Sequence, residues 1–169
     1  NRRLTIGRLS RDHAKKHHPN DIGIYHHLVS EGSTVKIMGG RCLAGELDNV
    51  PEVTLLPAGA QEPDVFLKGL DCFFYRTSDK YFEPSGRVVS EAMACGLPVV
   101  CHRRGGYSEY IEDRVDGFLF NTDAEAVEIL LTLKADPALR KCVGQAARKK
   151  LEASLAPAVR DEFLRFYTR

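Results

Sequence analysis

The chain has 169 residues, 43% of them apolar and 28% charged, and a formal net charge of +1. That length suits one domain with a substantial core, and the composition excludes disordered, collagen-like and coiled-coil classes. Charge so nearly balanced gives no broad electrostatic case for nucleic acid or an anionic membrane as partner, and no apolar run approaches the ~20 residues of a membrane span.

No signal-peptide pattern opens the sequence, so a cytoplasmic setting is expected, with room for peripheral membrane attachment of the full-length protein. The chain begins Asn1-Arg2-Arg3 without a methionine and is read as a piece of a longer protein. Its five cysteines are widely spaced with no CxxC pair, which reads as reduced, buried thiols.

In chain order, Leu4 to Gly7 reads as a brief strand, followed by a polar, basic loop from Arg8 to Asn20. Asp21 to Glu31 reads as a helix, with Ile22, Tyr25, Leu28 and Val29 on one face and Gly32 ending it. Strands are expected at Thr34 to Met38, closed by Gly39-Gly40, and at Glu52 to Leu56, closed by Pro57-Ala58-Gly59-Ala60. The connection between those two has no regular pattern. A short helix at Pro63 to Gly69 precedes a strand at Leu70 to Tyr75.

The stretch Asp79 to Val100 organises the rest. Glu83 sits in a loop, and Ser85-Gly86 opens a helix whose apolar face is Val88, Val89, Ala92, Met93 and Cys95. Gly96 stops that helix, Pro98 follows, and Leu97 to Cys101 reads as a buried strand. Beyond it come a glycine loop, a short helix near Ser108 to Ile111, and a strand at Phe118 to Phe120. Helices at Asp123 to Lys134, Pro137 to about Ser154 and Pro157 to Tyr167 complete the chain, the prolines at first-turn positions.

Short apolar strands alternating with helices predict an α/β fold: a Rossmann-like, doubly wound parallel sheet of about six strands with helices on both faces. Ligands of such sheets lie beyond the carboxyl ends of the strands, which gathers Arg8 onward, Gly39-Gly40, Pro57 to Ala60, Thr77 to Gly86 and His102 to Gly106 at one edge.

The helix start at Gly86 leaves backbone N–H groups free for an anion, and Arg8 with Lys15 or Lys16 could reach the same charge. Either feature alone is also what a solvated basic loop or an ordinary helix end would show. The GxGxxG dinucleotide fingerprint is absent, because GRLSRD stands after the first strand, and so is the GxxxxGK[ST] phosphate loop. Glu83 and Glu91 flank the helix start, where carboxylates beside a phosphate would accept hydrogen bonds from hydroxyls, as a sugar nucleotide offers. Each is equally readable as a surface glutamate. His13 and His17 stand four apart, but Pro19 and polar neighbours argue for a loop over a metal-binding helix face. No GxSxG nucleophile turn is present.

Glu83 to Val100, EPSGRVVSEAMACGLPVV, resembles the E-x7-E segment of retaining GT-B glycosyltransferases of family 4, the glycosyl transferases group 1. Ile6-Gly7-Arg8-Leu9, Gly105 to Glu109 and Asp116 to Leu119 extend the resemblance in the expected order. It implies that residues 1–169 are the C-terminal, donor-binding half of a GT-B enzyme, with the N-terminal acceptor domain lying outside this chain. The resemblance assigns donor-sugar hydroxyls to Glu83 and to the N–H groups of Ser85, Gly86 and Arg87, and ribose hydroxyls to Glu91. It assigns the departing diphosphate to Arg8 with Lys15 or Lys16, the base to Pro57 to Ala60, and counts Gly39 and Gly40 with the donor site. The implied donor is a nucleotide sugar such as a UDP- or GDP-hexose, used without a metal, with a glycan, lipid or small-molecule acceptor bound by the other half. Ser85 stands where that family commonly has an aromatic, and Arg87 where it has an aliphatic residue. A non-catalytic nucleotide-sugar module, a sugar-nucleotide epimerase and a phosphorylase are the competing readings.

Overall fold

In a computed structural model, which describes residues 2–155 and 157–167, the apolar runs pair into one sheet of six strands in the order β3-β2-β1-β4-β5-β6. The strands are β1 (Thr5–Leu9), β2 (Thr34–Met38), β3 (Val53–Leu56), β4 (Cys72–Tyr75), β5 (Val99–His102) and β6 (Phe118–Phe120). All five pairings are parallel. The helices are α1 (Asp21–Ser30), α2 (Ala44–Leu47), α3 (Pro63–Lys68), α4 (Arg87–Ala94), α5 (Asp123–Ala135), α6 (Pro137–Ser154) and α7 (Pro157–Tyr167). This is the doubly wound α/β architecture that the alternation of elements predicts.

The central strand β4 is apolar throughout because both faces of the sheet are covered. On β4, Phe74 packs on one side with Ile24, Leu28, Phe120 and Leu130, which belong to the core under α1 and α5. Phe73 and Tyr75 pack on the other with Phe66, Val89, Met93 and Tyr107, the core under α3 and α4. Sheet growth reverses between β1 and β4: the chain builds outward to β3, then returns to add β4 on the far side of β1. The loops after β1 and β4 therefore diverge at the carboxyl edge and leave a crevice between them.

Several boundaries differ from the sequence reading. β1 runs on to Leu9, so Arg8 lies within a strand instead of opening the loop, paired in register with Ile37. Its charge marks it as loop, but β1 is a central strand and the ladder to β2 carries it past Gly7. The irregular stretch after β2 holds a 3₁₀ turn at Arg41–Leu43 and the single-turn α2. The short helix expected near Ser108 is a 3₁₀ turn at Gly106–Glu109. Cys72 and Cys101 are buried and Cys95 is half-buried, whereas Cys42 and Cys142 are exposed; all five are free thiols.

α6 crosses α4 at a glycine contact, since a Cβ on Gly144 would stand 2.0 Å from the Gly96 carbonyl oxygen. Gly96 itself closes α4 with φ of 74°. By contrast a Cβ on Gly23, inside α1, would meet nothing within 4 Å. Gly144→Ala is therefore expected to destabilise the fold by about 1–3 kcal/mol through overpacking. Gly23→Ala should stabilise it by up to about 1 kcal/mol through helix propensity. Urea denaturation of the two variants checks the opposite signs.

Candidate functional site

Arg8, in β1, is fully buried. Its Nη1 donates to the Arg76 carbonyl at 2.6 Å and Nη2 to the Lys16 carbonyl at 2.5 Å. The guanidinium lies 4.6 Å from the centre of the Tyr75 ring. Lys16 ends a 3₁₀ turn at Ala14–Lys16. Its ammonium donates to Glu83 Oε2 at 2.6 Å and to the Tyr81 hydroxyl at 3.3 Å, and sits 4.3 Å from the Tyr81 ring centre. Of the two candidate lysines, only Lys16 faces Glu83; Lys15 is exposed and lines a neighbouring hollow with His13 and Tyr81.

Glu83 is almost buried and also accepts from the Tyr75 hydroxyl at 3.0 Å. Burial, foremost, pushes the Tyr75 hydroxyl far above its ordinary value, so it stays protonated and donates. The main chain around Glu83 is fixed from behind. The Glu83 carbonyl accepts from the Gly106 N–H at 2.8 Å, and a Cβ on Gly106 would collide with the Pro84 carbonyl oxygen at 1.5 Å. Gly86 takes φ of 61°, and a Cβ there would stand 2.5 Å from Tyr107 Cδ1. Tyr107 is itself fully buried, edge-on to Tyr75 at 5.9 Å. Tyr110 adds hydrogen bonds to the Ser85 and Gly86 carbonyls.

Gly86 delivers the chain into α4, where the N–H groups of Val89 and Ser90 turn back to the Gly86 carbonyl. The N–H groups of Arg87 and Val88, in the first turn, have no acceptor within the helix, and the dipole at that end favours negative charge. A cleft of about 230 Å³ results, lined by Ser10, Arg11, Lys16, Tyr75, Glu83, Ser85, Arg87 and Val88. Chemically it offers three cations, free backbone donors and one carboxylate, a set that suits an anion carrying hydroxyls.

The remaining sequence candidates fall around this cleft. Glu91 lies one turn along α4, half-buried, its Oε1 3.2 Å from Arg87 Nε. Burial raises its carboxyl pKa, and Arg87 opposes the shift. Gly39 has φ of 83° and its Cβ would overlap the Ser10 carbonyl oxygen at 1.9 Å, so it fastens the end of β2 to the first loop. Gly40 packs over Ile37. Pro57, Ala58, Gly59 and Ala60 form an exposed turn after edge strand β3 and do not line the cleft. His13 and His17 turn to different partners, the former capping Lys15 N–H and the latter facing the Gly39 carbonyl at 2.9 Å. Among the described residues no cluster of His, Cys, Asp or Glu could hold a metal ion.

The glycosyl transferases group 1 family model matches residues 34–150. The chain belongs to this family. Sulfoquinovosyl transferase SQD2 of Arabidopsis thaliana is 42% identical over 88 residues, which cover 46% of this chain and 17% of the plant protein. A TarM variant of S. aureus, solved with fondaparinux, α-GlcNAc-glycerol and UDP, superposes with a TM-score of 0.80 at 19% identity over 99% of this chain and 36% of its own. HepE of Anabaena, solved with UDP-glucose, gives 0.76 at 21% identity over 98% and 49%. The chain thus spans half or less of these relatives, and its sheet is that of one half of a GT-B fold.

In this group 1 domain the sequence reading missed the residues that hold the site in place. Arg76 follows β4 and is buried, with Nε donating to Asp21 at 2.9 Å and Nη1 to Asp123 at 2.7 Å. It thereby ties the first turns of α1 and α5 to the loop that carries Glu83. Tyr75, Tyr81, Tyr107 and Tyr110 escaped notice as well. The available signal was a charged residue directly after a buried run, as at Arg76.

His17 is buried, and its pKa is lowered to about 4, chiefly by burial and then by the nearby Arg8 charge. Neutral, it donates from Nε2 to the Gly39 carbonyl. The unfolded chain protonates His17 near 6.5, so its contribution is complete above that pH and is lost as pH falls toward 4, by about 3 kcal/mol in all. His17→Gln keeps a donor without the titration. The stability lost between pH 6.5 and 4 should be smaller in that variant than in the parent, as measured by urea denaturation at each pH.

Proposed function

We propose that the chain is the C-terminal, donor-binding half of a retaining, family 4 GT-B glycosyltransferase that takes a sugar from a nucleoside diphosphate sugar such as a UDP- or GDP-hexose. The observation that carries this is the juxtaposition of Lys16 with Glu83 at 2.6 Å, at the sheet's switch point and beside the free N–H groups of α4. The presence of UDP in the TarM structure and UDP-glucose in the HepE structure supports it.

In this reading Lys16 and the N–H groups of Arg87 and Val88 take the charge that develops on the departing diphosphate. These groups do the work that a divalent ion would otherwise do, so donor binding requires no metal. Glu83 accepts hydrogen bonds from donor-sugar hydroxyls, helped by the backbone at Ser85 and Gly86. Glu91 accepts from the ribose. Arg8 has both ends committed to carbonyls, so it acts through the position of Lys16 and not by direct contact. The acceptor hydroxyl arrives from the other half of the enzyme and attacks on the face the diphosphate leaves, which retains the anomeric configuration. The base is read by the turn at Pro57 to Ala60.

Titration calorimetry in EDTA with UDP, GDP, ADP and their sugar conjugates tests this. One nucleoside diphosphate should bind with the chelator present; binding that returns only with magnesium overturns the metal-free reading. Glu91→Ala should weaken the free and sugar-linked nucleotide alike, by the ~1.5–3 kcal/mol of a charged hydrogen bond. Glu83→Gln removes the partner that competes for Lys16. The free diphosphate should then bind at least as tightly as to the parent, while the intact sugar nucleotide binds less tightly. Equal losses for both ligands in Glu83→Gln would mean its role is misassigned.

Transfer needs an acceptor held at the anomeric carbon with water excluded, which two closing domains provide. The chain alone is therefore expected to bind donor but not to glycosylate, with slow donor hydrolysis at most. Incubation with radiolabelled sugar nucleotide and a panel of lipid, glycan and protein acceptors checks this; robust product would refute it.

A further inference from the structure

We infer that the Arg87 side chain is an additional phosphate-binding residue: a cation on α4 that meets the donor's diphosphate opposite Lys16. The inference rests on the donor-binding reading above and deepens it.

Three observations converge on Arg87. First, it is in the wrong place for helix stability. It occupies the first position of α4, whose first turn holds no acidic residue, so its charge faces the positive end of the helix dipole. The carboxylate it meets, Glu91, lies four residues further on, which is the less favourable order for an ion pair along a helix. Local rules broken without a compensating gain in the fold mark a functional position.

Second, its setting is the cleft. Arg87 lines the same cavity as Arg11, Lys16 and Glu83. Its side chain is 88% exposed, so no packing holds it and its fork is free to turn to a ligand. The N–H of the same residue has no intrahelical acceptor, so main chain and side chain present donors from one position.

Third, two of the other cations are already engaged, while Arg11, like Arg87, is exposed. Lys16 is paired with Glu83, and Arg8 is buried on two carbonyls with its Nε unpartnered. A dianionic diphosphate entering the cleft needs more positive charge than Lys16 supplies alone. Arg87 can supply it by leaving Glu91, and that exchange frees the Glu91 carboxylate for hydroxyls. The α4 dipole then works with the ligand, since the anion sits between the helix end and the guanidinium.

The test uses this chain, UDP and GDP as probes, and calorimetry at several salt concentrations, with Arg87→Leu, Arg87→Lys, Glu91→Gln and Arg87→Leu combined with Glu91→Gln. Because the Arg87 side chain is exposed and opposes the helix dipole, Arg87→Leu and Arg87→Lys should melt no lower than the parent. Arg87→Leu is expected to weaken diphosphate binding by about tenfold or more and to make its salt dependence shallower, as loss of one ligand-facing charge requires. Arg87→Lys should recover part of the affinity and all of the salt dependence. The Arg87→Leu loss should persist in the Glu91→Gln background.

Unchanged affinity in Arg87→Leu, or a loss with unchanged salt dependence, overturns the inference while leaving donor binding intact. A loss that vanishes in the Glu91→Gln background also overturns it, because Arg87 would then act only by orienting Glu91. If the parent binds neither probe nor any other nucleoside diphosphate, the donor-binding reading falls and this one with it.

Discussion

The Arg8 guanidinium lies buried in the central strand β1, with its two Nη atoms on the carbonyls of Lys16 and Arg76 and its face over Tyr75. A charge taken out of water is costly unless its hydrogen bonds are replaced. The replacements here come from two separate loops, one after β1 and one after β4. Satisfying a single cation therefore fixes both walls of the crevice at the point where the sheet reverses its direction of growth. Lys16 and Glu83 meet across that crevice because their backbones are already held.

The clamp continues outward through polar contacts that the hydrophobic pattern does not encode. Arg76, whose carbonyl Arg8 holds, sends its own guanidinium to Asp21 and Asp123 at the starts of α1 and α5. Ser78 N–H donates to the Lys15 carbonyl at 3.1 Å, and the Thr77 hydroxyl to the Tyr81 carbonyl at 3.0 Å. Behind Glu83, Gly106 and Gly86 let the backbone approach Pro84 and Tyr107 more closely than any side chain would allow. The site is thus rigid in its main chain, while the side chains facing the cleft, Arg11 and Arg87, remain exposed.

This arrangement explains how a group 1 glycosyltransferase domain can keep a lysine and a glutamate ready in one narrow cleft. Each is the other's counter-ion at 2.6 Å, both side chains are largely buried, and Tyr75 and Tyr81 supply the remaining hydrogen bonds. Neither charge is left unpaired in a partly desolvated place. An entering ligand with phosphate on one side and hydroxyls on the other can take over both partners in turn.

The sequence alone determined the alternation of strands and helices, the doubly wound sheet, the start of α4 at Gly86 and its stop at Gly96, which adopts positive φ. Those features are local: they follow from periodicity, from glycine's conformational freedom and from the reach of a few adjacent residues. The candidate loops and the positions of Glu83 and Glu91 were legible for the same reason. What it could not decide was which of Lys15 and Lys16 turns inward, that Arg8 belongs to a strand and lies buried, or that Arg76 joins α1 to α5. Nor could it place Pro57 to Ala60 outside the cleft at the edge of the sheet. Each of these depends on contacts between residues far apart in the chain. Which neighbour β1 gains on either side is set by how the strands pair, and only once β4 lies beside β1 do the carbonyls of Lys16 and Arg76 come within reach of one guanidinium.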